Sequence, residues 1–280
     1  MSSLLISPSE LFTLLDDPNL IILDASLPKP KAKAEDNPLA SIQILNARFF
    51  DIEHKFSDQK SDLPHMMVSA EVFEREAREL GISNASRIVV YDNLGVYSAP
   101  RAWWMFKSMG HEDVQVLNGG LPEWVQSGYP TETKTEQRIT PGDFIANPQL
   151  GFFRSQEEVL ANLDSRKELI LDARSSGRFT GTEPEPREGL RGGHIPDSKS
   201  LPFIEVIHGN VLKDEAELND IFDELNPSKQ PTIFSCGSGL TACIILLAAE
   251  VVGRKNLSVY DGSWSEWGLP GDCPVKTGLN

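Results

Sequence analysis

Residues Pro231–Ser235 (PTIFS) run into Cys236-Gly237-Ser238-Gly239-Leu240-Thr241, and the apolar stretch Ala242–Val252 follows directly. The β-rich run predicts a buried strand, the two glycines a tight loop, and the apolar stretch a helix. The same order occurs once before, where Arg87–Tyr91 (RIVVY) leads into Asp92-Asn93-Leu94-Gly95 and a helical pattern over 99–109. Upstream, Leu20–Ala25 (LIILDA) matches Leu169–Ala173 (LILDA). Downstream, Asn118-Gly119-Gly120 with Glu123-Trp124 matches Asp261-Gly262-Ser263 with Glu266-Trp267. Asp24 and Asp172 are 148 positions apart, Asp92 and Cys236 are 144 apart, and Trp124 and Trp267 are 143 apart. Chance matches would not keep so steady a spacing, so one domain was duplicated. The helical pattern over 99–109 stops at Gly110, and further helical patterns stop at Gly81 and before Pro227. Each half is therefore predicted to be an α/β fold, a mostly parallel central sheet flanked by helices.

The length of 280 residues agrees, since about 150 residues per domain gives close to two. We place the first copy at 1–135, a linker at 136–152 within the proline-punctuated, aperiodic region that begins near Thr131, and the second copy at 153–280. Apolar residues at 40% and charged residues at 24% describe a folded globular chain. A net charge of -15 repels phosphates and anionic lipid, which argues against a nucleic acid or membrane partner. The longest strongly apolar stretch, 242–252, is interrupted by Glu250 and falls short of the ~20 residues a bilayer requires. The opening MSSLLISPSELFTLL lacks a basic segment and does not read as a secretion signal. Three cysteines, with no C-x-x-C spacing, predict neither a disulfide framework nor a metal site. No cofactor-binding loop is visible either, so the expectation is a cytoplasmic protein with reduced thiols and no cofactor.

The two loops differ where Asp92 is replaced by Cys236. A thiol at the end of a strand, followed by Gly237 and Gly239 and then by a helix N-terminus, sits among N–H groups that favour the thiolate, the form that attacks. Ser238 and Thr241 add hydroxyls within the same turn. The plainer alternative is a buried core cysteine. Against it, a scaffold that accepts Asp92 at the matching place would have to bury a carboxylate, so the position is predicted to face a pocket. Cys243, within the apolar helix, reads as core, and Cys273 as a bystander.

A second cluster, Asp172-Ala173-Arg174 through Arg178, Arg187 and Arg191, starts at a strand end in the same half. Arg178 and Arg187 can hold a small carboxylate that the overall charge would repel. The alternative is that they pair with Glu183, Glu185 or Glu188. The matching stretch from Asp24 to Ala40 carries lysines and no arginine.

These residues resemble the two-domain rhodanese-type sulfurtransferases, and among them the 3-mercaptopyruvate sulfurtransferases. Cys236-Gly237-Ser238-Gly239-Leu240-Thr241 is similar to the C-G-S-G-V-T active loop, Gly193-His194-Ile195-Pro196 to the G-H-I-P signature, and Tyr260–Trp267 (YDGSWSEW) to the closing motif. Ser98–Trp104 (SAPRAWW) adds a match in the first copy. The resemblance implies two tandem rhodanese-like domains with an inactive N-terminal copy. It also implies a Cys236 persulfide, formed from 3-mercaptopyruvate with release of pyruvate and emptied by cyanide or a thiol such as thioredoxin. By the same likeness Arg178 and Arg187 grip the donor, the loop residues Gly237, Gly239 and Leu240 frame it, and Ser238 helps deliver a proton. His65 matches a first-domain histidine that the family brings near that serine. Ile42-Gln43-Ile44-Leu45 departs from G-H-I-P in the first copy. Glu53 is not assigned a role. Thiosulfate sulfurtransferases resemble a C-R-K-G-V-T loop, whose basic pair suits a dianion, whereas Gly237 and Ser238 are neutral. A persulfide carrier without catalysis is a further alternative. A cysteine phosphatase is excluded because Ala242 stands where C-x5-R places its arginine.

Overall fold

The computed structural model describes residues 3–28, 37–135 and 138–278. Lys29, Lys31 and Lys33 of the lysine stretch, and the linker positions 136–137, lie outside the described residues. The chain forms two compact units. One comprises Met1–Gln59, Met67–Gln149 and Gly209–Leu212, and the other Lys60–Met66, Leu150–His208 and Lys213–Asn280. Each unit thus takes in a short segment from the opposite half of the sequence.

The duplication appears as one topology drawn twice. In the first unit the strands lie in the order Leu5–Ile6, Val114–Leu117, Arg87–Tyr91, Leu20–Asp24 and Arg48–Phe49, all parallel. In the second the order is Phe153–Arg154, Leu257–Tyr260, Thr232–Ser235, Leu169–Asp172 and Lys199–Ser200, again all parallel. The central strands are buried along nearly their whole length, as expected where helices cover both faces of a parallel sheet. In each sheet the chain reverses its direction of travel between the central pair. Ligands of such sheets sit beyond the strands' carboxyl ends at this switch point. In the second unit that pair is Leu169–Asp172 and Thr232–Ser235, so the arginine segment and the cysteine loop emerge side by side.

Local chemistry repeats too. Ser7 and Ser155 both close capping boxes, with Glu10 and Glu158, at the starts of helices Pro8–Thr13 and Gln156–Ser165. Trp124 and Trp267 each donate an indole N–H to a proline carbonyl, of Pro130 at 2.9 Å and Pro274 at 2.8 Å. Helix Ala70–Glu79 buries Phe73 and Ala77 and exposes Glu71, Arg75 and Glu79, whereas Ala242–Val251 is buried on every side through Ala249.

The aperiodic stretch after Pro130 is more ordered than its composition suggests. Thr131–Thr133 pairs antiparallel with Ile42–Ile44, the segment lacking the G-H-I-P pattern. Farther on, the amides of Phe144 and Asn147 bond the carbonyls of Ile82 and Met109. Three-residue strands are too short to show a period, which is why the sequence pattern hides them.

Candidate active site

Cys236 stands one residue past strand Thr232–Ser235, and helix Ala242–Val251 begins six residues beyond it. The loop between is fixed by Ser263. The Ser263 hydroxyl accepts the amides of Cys236 and Gly239, both at 3.1 Å, and donates to the carbonyl of Tyr260 at 2.7 Å. Ser263 holds a left-handed φ of 49°, at the rank of Gly120 in the first unit, whose φ is 54°. A serine in that conformation is strained, and its hydroxyl is what the glycine lacks. Gly239 supplies the other left-handed turn at φ 72°. From the following segment, the amides of Trp264 and Ser265 bond the carbonyls of Cys236 at 3.0 Å and Gly237 at 2.8 Å.

The equivalent loop of the first unit explains what this geometry does. The Asp92 carboxylate accepts four backbone amides: Leu94 at 2.9 Å, Tyr97 at 2.8 Å, and Ser98 and Ala99 at 2.9 Å. Burial pushes this carboxyl upward from its ordinary range, and the four amides pull against that push. Matched from the strand and from the helix starts Ala99 and Ala242, the donors correspond to Ser238, Leu240, Thr241 and Ala242. Among the described residues none of those four amides donates to a protein acceptor. The second loop therefore carries a set of unspent N–H groups that its twin spends on an anion.

The position is buried in both units. Asp92 is 0% and Cys236 1% exposed. A buried carboxylate is tolerated there because the amides satisfy it, so no solvent opening is needed.

The sequence-assigned residues converge. His65, at φ 62°, places Nδ1 2.9 Å from the Ser238 hydroxyl. In the first unit the matching rank is Gly209, at φ 63°, beside Asn210, whose carbonyl lies against Gly95. Arg178 and Arg187 both reach Gly237: their nearest guanidinium nitrogens lie 3.1 and 3.9 Å from where a Cβ on Gly237 would stand. Arg187 also donates to the Ser265 hydroxyl at 3.3 Å, and that hydroxyl donates to the Gly237 carbonyl at 2.5 Å. Thr241 precedes the helix without capping it through its side chain.

Arg178 pairs with Glu185, at 2.5 Å, so the carboxylate partner weighed from sequence is real even though the arginine lies beside the loop. Glu183 instead accepts the Ser175 hydroxyl. Arg174 is fully buried and bound to Asp172 and Glu185, while Arg191 donates to the carbonyls of Trp267 and Cys273. Cys243 is core, its thiol donating to the Gly239 carbonyl. Burial pushes the Cys273 thiol up, opposed by Arg191. Sequence reasoning missed Ser263, which was detectable as a hydroxyl replacing a glycine between the repeats, and named Glu185 only as one of three candidate partners, with no signal to single it out.

Comparison with known proteins agrees with this duplication. The family model for the Rhodanese-like domain matches residues 7–127 and again 155–269. The 3-mercaptopyruvate sulfurtransferase of Escherichia coli (strain K12) is 40% identical over 270 residues, 94% of each chain. A thiosulfate sulfurtransferase of Cricetulus griseus is 41% identical over 255 residues, 89% of this chain and 85% of that one. The crystal structure of SseA from Escherichia coli, described as a 3-mercaptopyruvate sulfotransferase with the rhodanese fold, superposes with a TM-score of 0.83. It is 35% identical and covers 95% of this chain and 100% of its own. With two matched copies, near-complete relatives and the same fold, the chain belongs to the rhodanese family as a protein of two Rhodanese-like domains.

Proposed function

We propose that this chain is a 3-mercaptopyruvate sulfurtransferase working through a persulfide on Cys236. The observation that carries the reading is the pair of loops, one holding the Asp92 carboxylate on four amides and the other leaving the matching amides unspent beside a thiol. Such a cradle offers N–H donors to the anionic outer sulfur of a persulfide after transfer.

In the first step the Cys236 thiolate attacks the sulfur of the donor. The S–S bond forms as the donor's C–S bond breaks, and the electron pair passes to the methylene carbon as the enolate of pyruvate. Ser238, hydrogen-bonded to His65, is placed to supply the proton that turns the enolate into pyruvate. The proton lost by the new persulfide balances it. Arg178 and Arg187 hold the donor's carboxylate and carbonyl, with Gly237, Gly239, Leu240 and Thr241 framing the sulfur. In the second step an acceptor thiolate, thioredoxin being the class we favour, or cyanide takes the outer sulfur and restores Cys236.

Relatives named for either donor are about equally identical to this chain, so donor choice rests on the loop. Gly237 and Ser238 bring no second positive charge for a dianion such as thiosulfate. The first copy, 1–135, is read as catalytically silent because Asp92 occupies its cradle and Gly209 stands at the rank of His65. The linker 136–152 then leads to the catalytic copy, 153–280. No helix among the described residues is long and apolar enough to cross a membrane. The three cysteines are free, which suits a reducing compartment such as the cytoplasm.

The test is steady-state turnover with each donor. We expect kcat/KM for 3-mercaptopyruvate to exceed that for thiosulfate by at least about tenfold, roughly 1.4 kcal/mol of transition-state energy. Equal values would remove the donor assignment, and faster thiosulfate turnover would reverse it.

A further inference from the structure

Arg178 has five N–H donors in a rigid fork. Glu185 Oε2 takes two of them, from Nε at 3.1 Å and Nη2 at 2.5 Å. Nη1 donates to no protein acceptor among the described residues, and it lies 4.0 Å from where a Cβ on Gly237 would stand, with Nη2 nearer at 3.1 Å. One edge of the guanidinium is gripped, and the other remains for a ligand beside the Cys236 loop.

Glu185 is itself held. Its Oε1 accepts Arg174 Nη1 at 2.7 Å. Arg174 puts Nε and Nη2 on Asp172 at 2.6–3.1 Å, gives Nη2 also to the Gly193 carbonyl at 2.8 Å, and stacks its guanidinium carbon 4.1 Å from the Trp264 ring. The row Asp172, Arg174, Glu185, Arg178 alternates in sign from the end of a central strand to the cysteine loop. The first three side chains are 2%, 0% and 2% exposed and the last is 22% exposed. Each buried charge is flanked by its opposite, which fixes the row geometrically.

We propose that Glu185 is the positioning residue for the donor's carboxylate. By holding the Nε and Nη2 edge of Arg178 it fixes the guanidinium against the loop and leaves Nη1, also beside Gly237, for the carboxylate of an α-keto acid. An arginine already fixed loses less rotamer freedom on binding than a mobile one, so the gain falls on donor binding and not on the thiol. This assignment rests on the keto-acid reading above.

The experiment is a double-mutant cycle on the full chain, following pyruvate release from 3-mercaptopyruvate by wild type, Glu185→Gln, Arg178→Ala and the double variant. A glutamine keeps the volume but faces one of two guanidinium groups with its own N–H donors. We expect Glu185→Gln to raise KM about tenfold with kcat changed less than about threefold, and to add less than about twofold once Arg178 is alanine. Iodoacetamide labelling of Cys236 should stay at the wild-type rate. An unchanged KM, or the full increase on top of Arg178→Ala, overturns the assignment, because Glu185 would then not act through Arg178. If circular dichroism finds Glu185→Gln unfolded, Glu185→Asp, too short to span both arginines, is read by the same criteria. Wild type that releases no pyruvate would instead defeat the keto-acid reading. Glu185 is then judged by pyruvate's protection of Cys236 from iodoacetamide, expected to need about tenfold more pyruvate in Glu185→Gln and contradicted by equal protection.

Discussion

His65 Nδ1 lies 2.9 Å from the Ser238 hydroxyl although the two residues are 173 positions apart. His65 belongs to the short segment Lys60–Met66 that forms part of the second unit, and its left-handed backbone sets the ring toward the loop. A histidine that close can orient the hydroxyl or exchange a proton with it. Within the proposed reaction this serves the carbon left behind when sulfur departs.

Ser238→Ala should therefore lower kcat for 3-mercaptopyruvate by about 10²-fold, the scale of a lost general acid. His65→Ala should lower it by a similar factor, and the double variant by little more than either alone. Stopped-flow measurement of pyruvate release reads this directly. Independent, multiplying losses would show that the pair does not act as a unit.

Ser263 gives a separable test of loop architecture. Ser263→Ala removes the hydroxyl that joins the amides of Cys236 and Gly239 while keeping the strained φ of 49°. Ser263→Gly removes both hydroxyl and strain, restoring the residue found at Gly120. Urea denaturation should show the alanine variant less stable by about 2 kcal/mol and the glycine variant less affected. Equal losses would mean that the backbone conformation carries no strain.

In the first unit, Asp92→Ala strips a buried acceptor from four amides. The expected cost is about 3 kcal/mol or more in unfolding free energy, with kcat for the second-unit chemistry changed little. A variant as stable as wild type would show that the carboxylate does not hold the loop.

The closing motif predicts a pH dependence. Burial raises the Glu266 carboxyl above its ordinary range, and it accepts the Tyr260 hydroxyl at 2.8 Å. The native state then binds a proton more tightly than the unfolded chain. Its contribution is most favourable below the ordinary carboxylate value, about 4.3, and is lost as pH rises through the raised native value. Glu266→Gln removes this slope, so its stability relative to wild type should increase with pH above about 4.3. A difference constant between pH 4 and 7 would contradict the raised value.

Much of this architecture was legible from the chain alone because duplication separates scaffold from chemistry. The strand-end aspartates, the two strand-loop-helix blocks and the closing tryptophans keep their spacing, and they fall on matching sheets in the structure. What was hidden depends on backbone polarity, which side-chain patterns do not report. Nothing in the sequence says that four amides satisfy Asp92, so burial of that position is not legible there. Glu185 was equally illegible, since one glutamate among Glu183, Glu185 and Glu188 is distinguished by geometry alone. His65 had a loop context that by itself suits solvent, and it was reached through family likeness.

The central claim is that the Cys236 sulfur accepts a second sulfur and holds it as an anion. Brief mixing with 3-mercaptopyruvate without an acceptor, followed by alkylation and mass analysis of the three cysteine peptides, tests it most directly. The account predicts one additional sulfur on the Cys236 peptide, with one pyruvate released per chain and neither product in Cys236→Ser. Sulfur gained at Cys243 or Cys273, or none gained while pyruvate is still released, would contradict it.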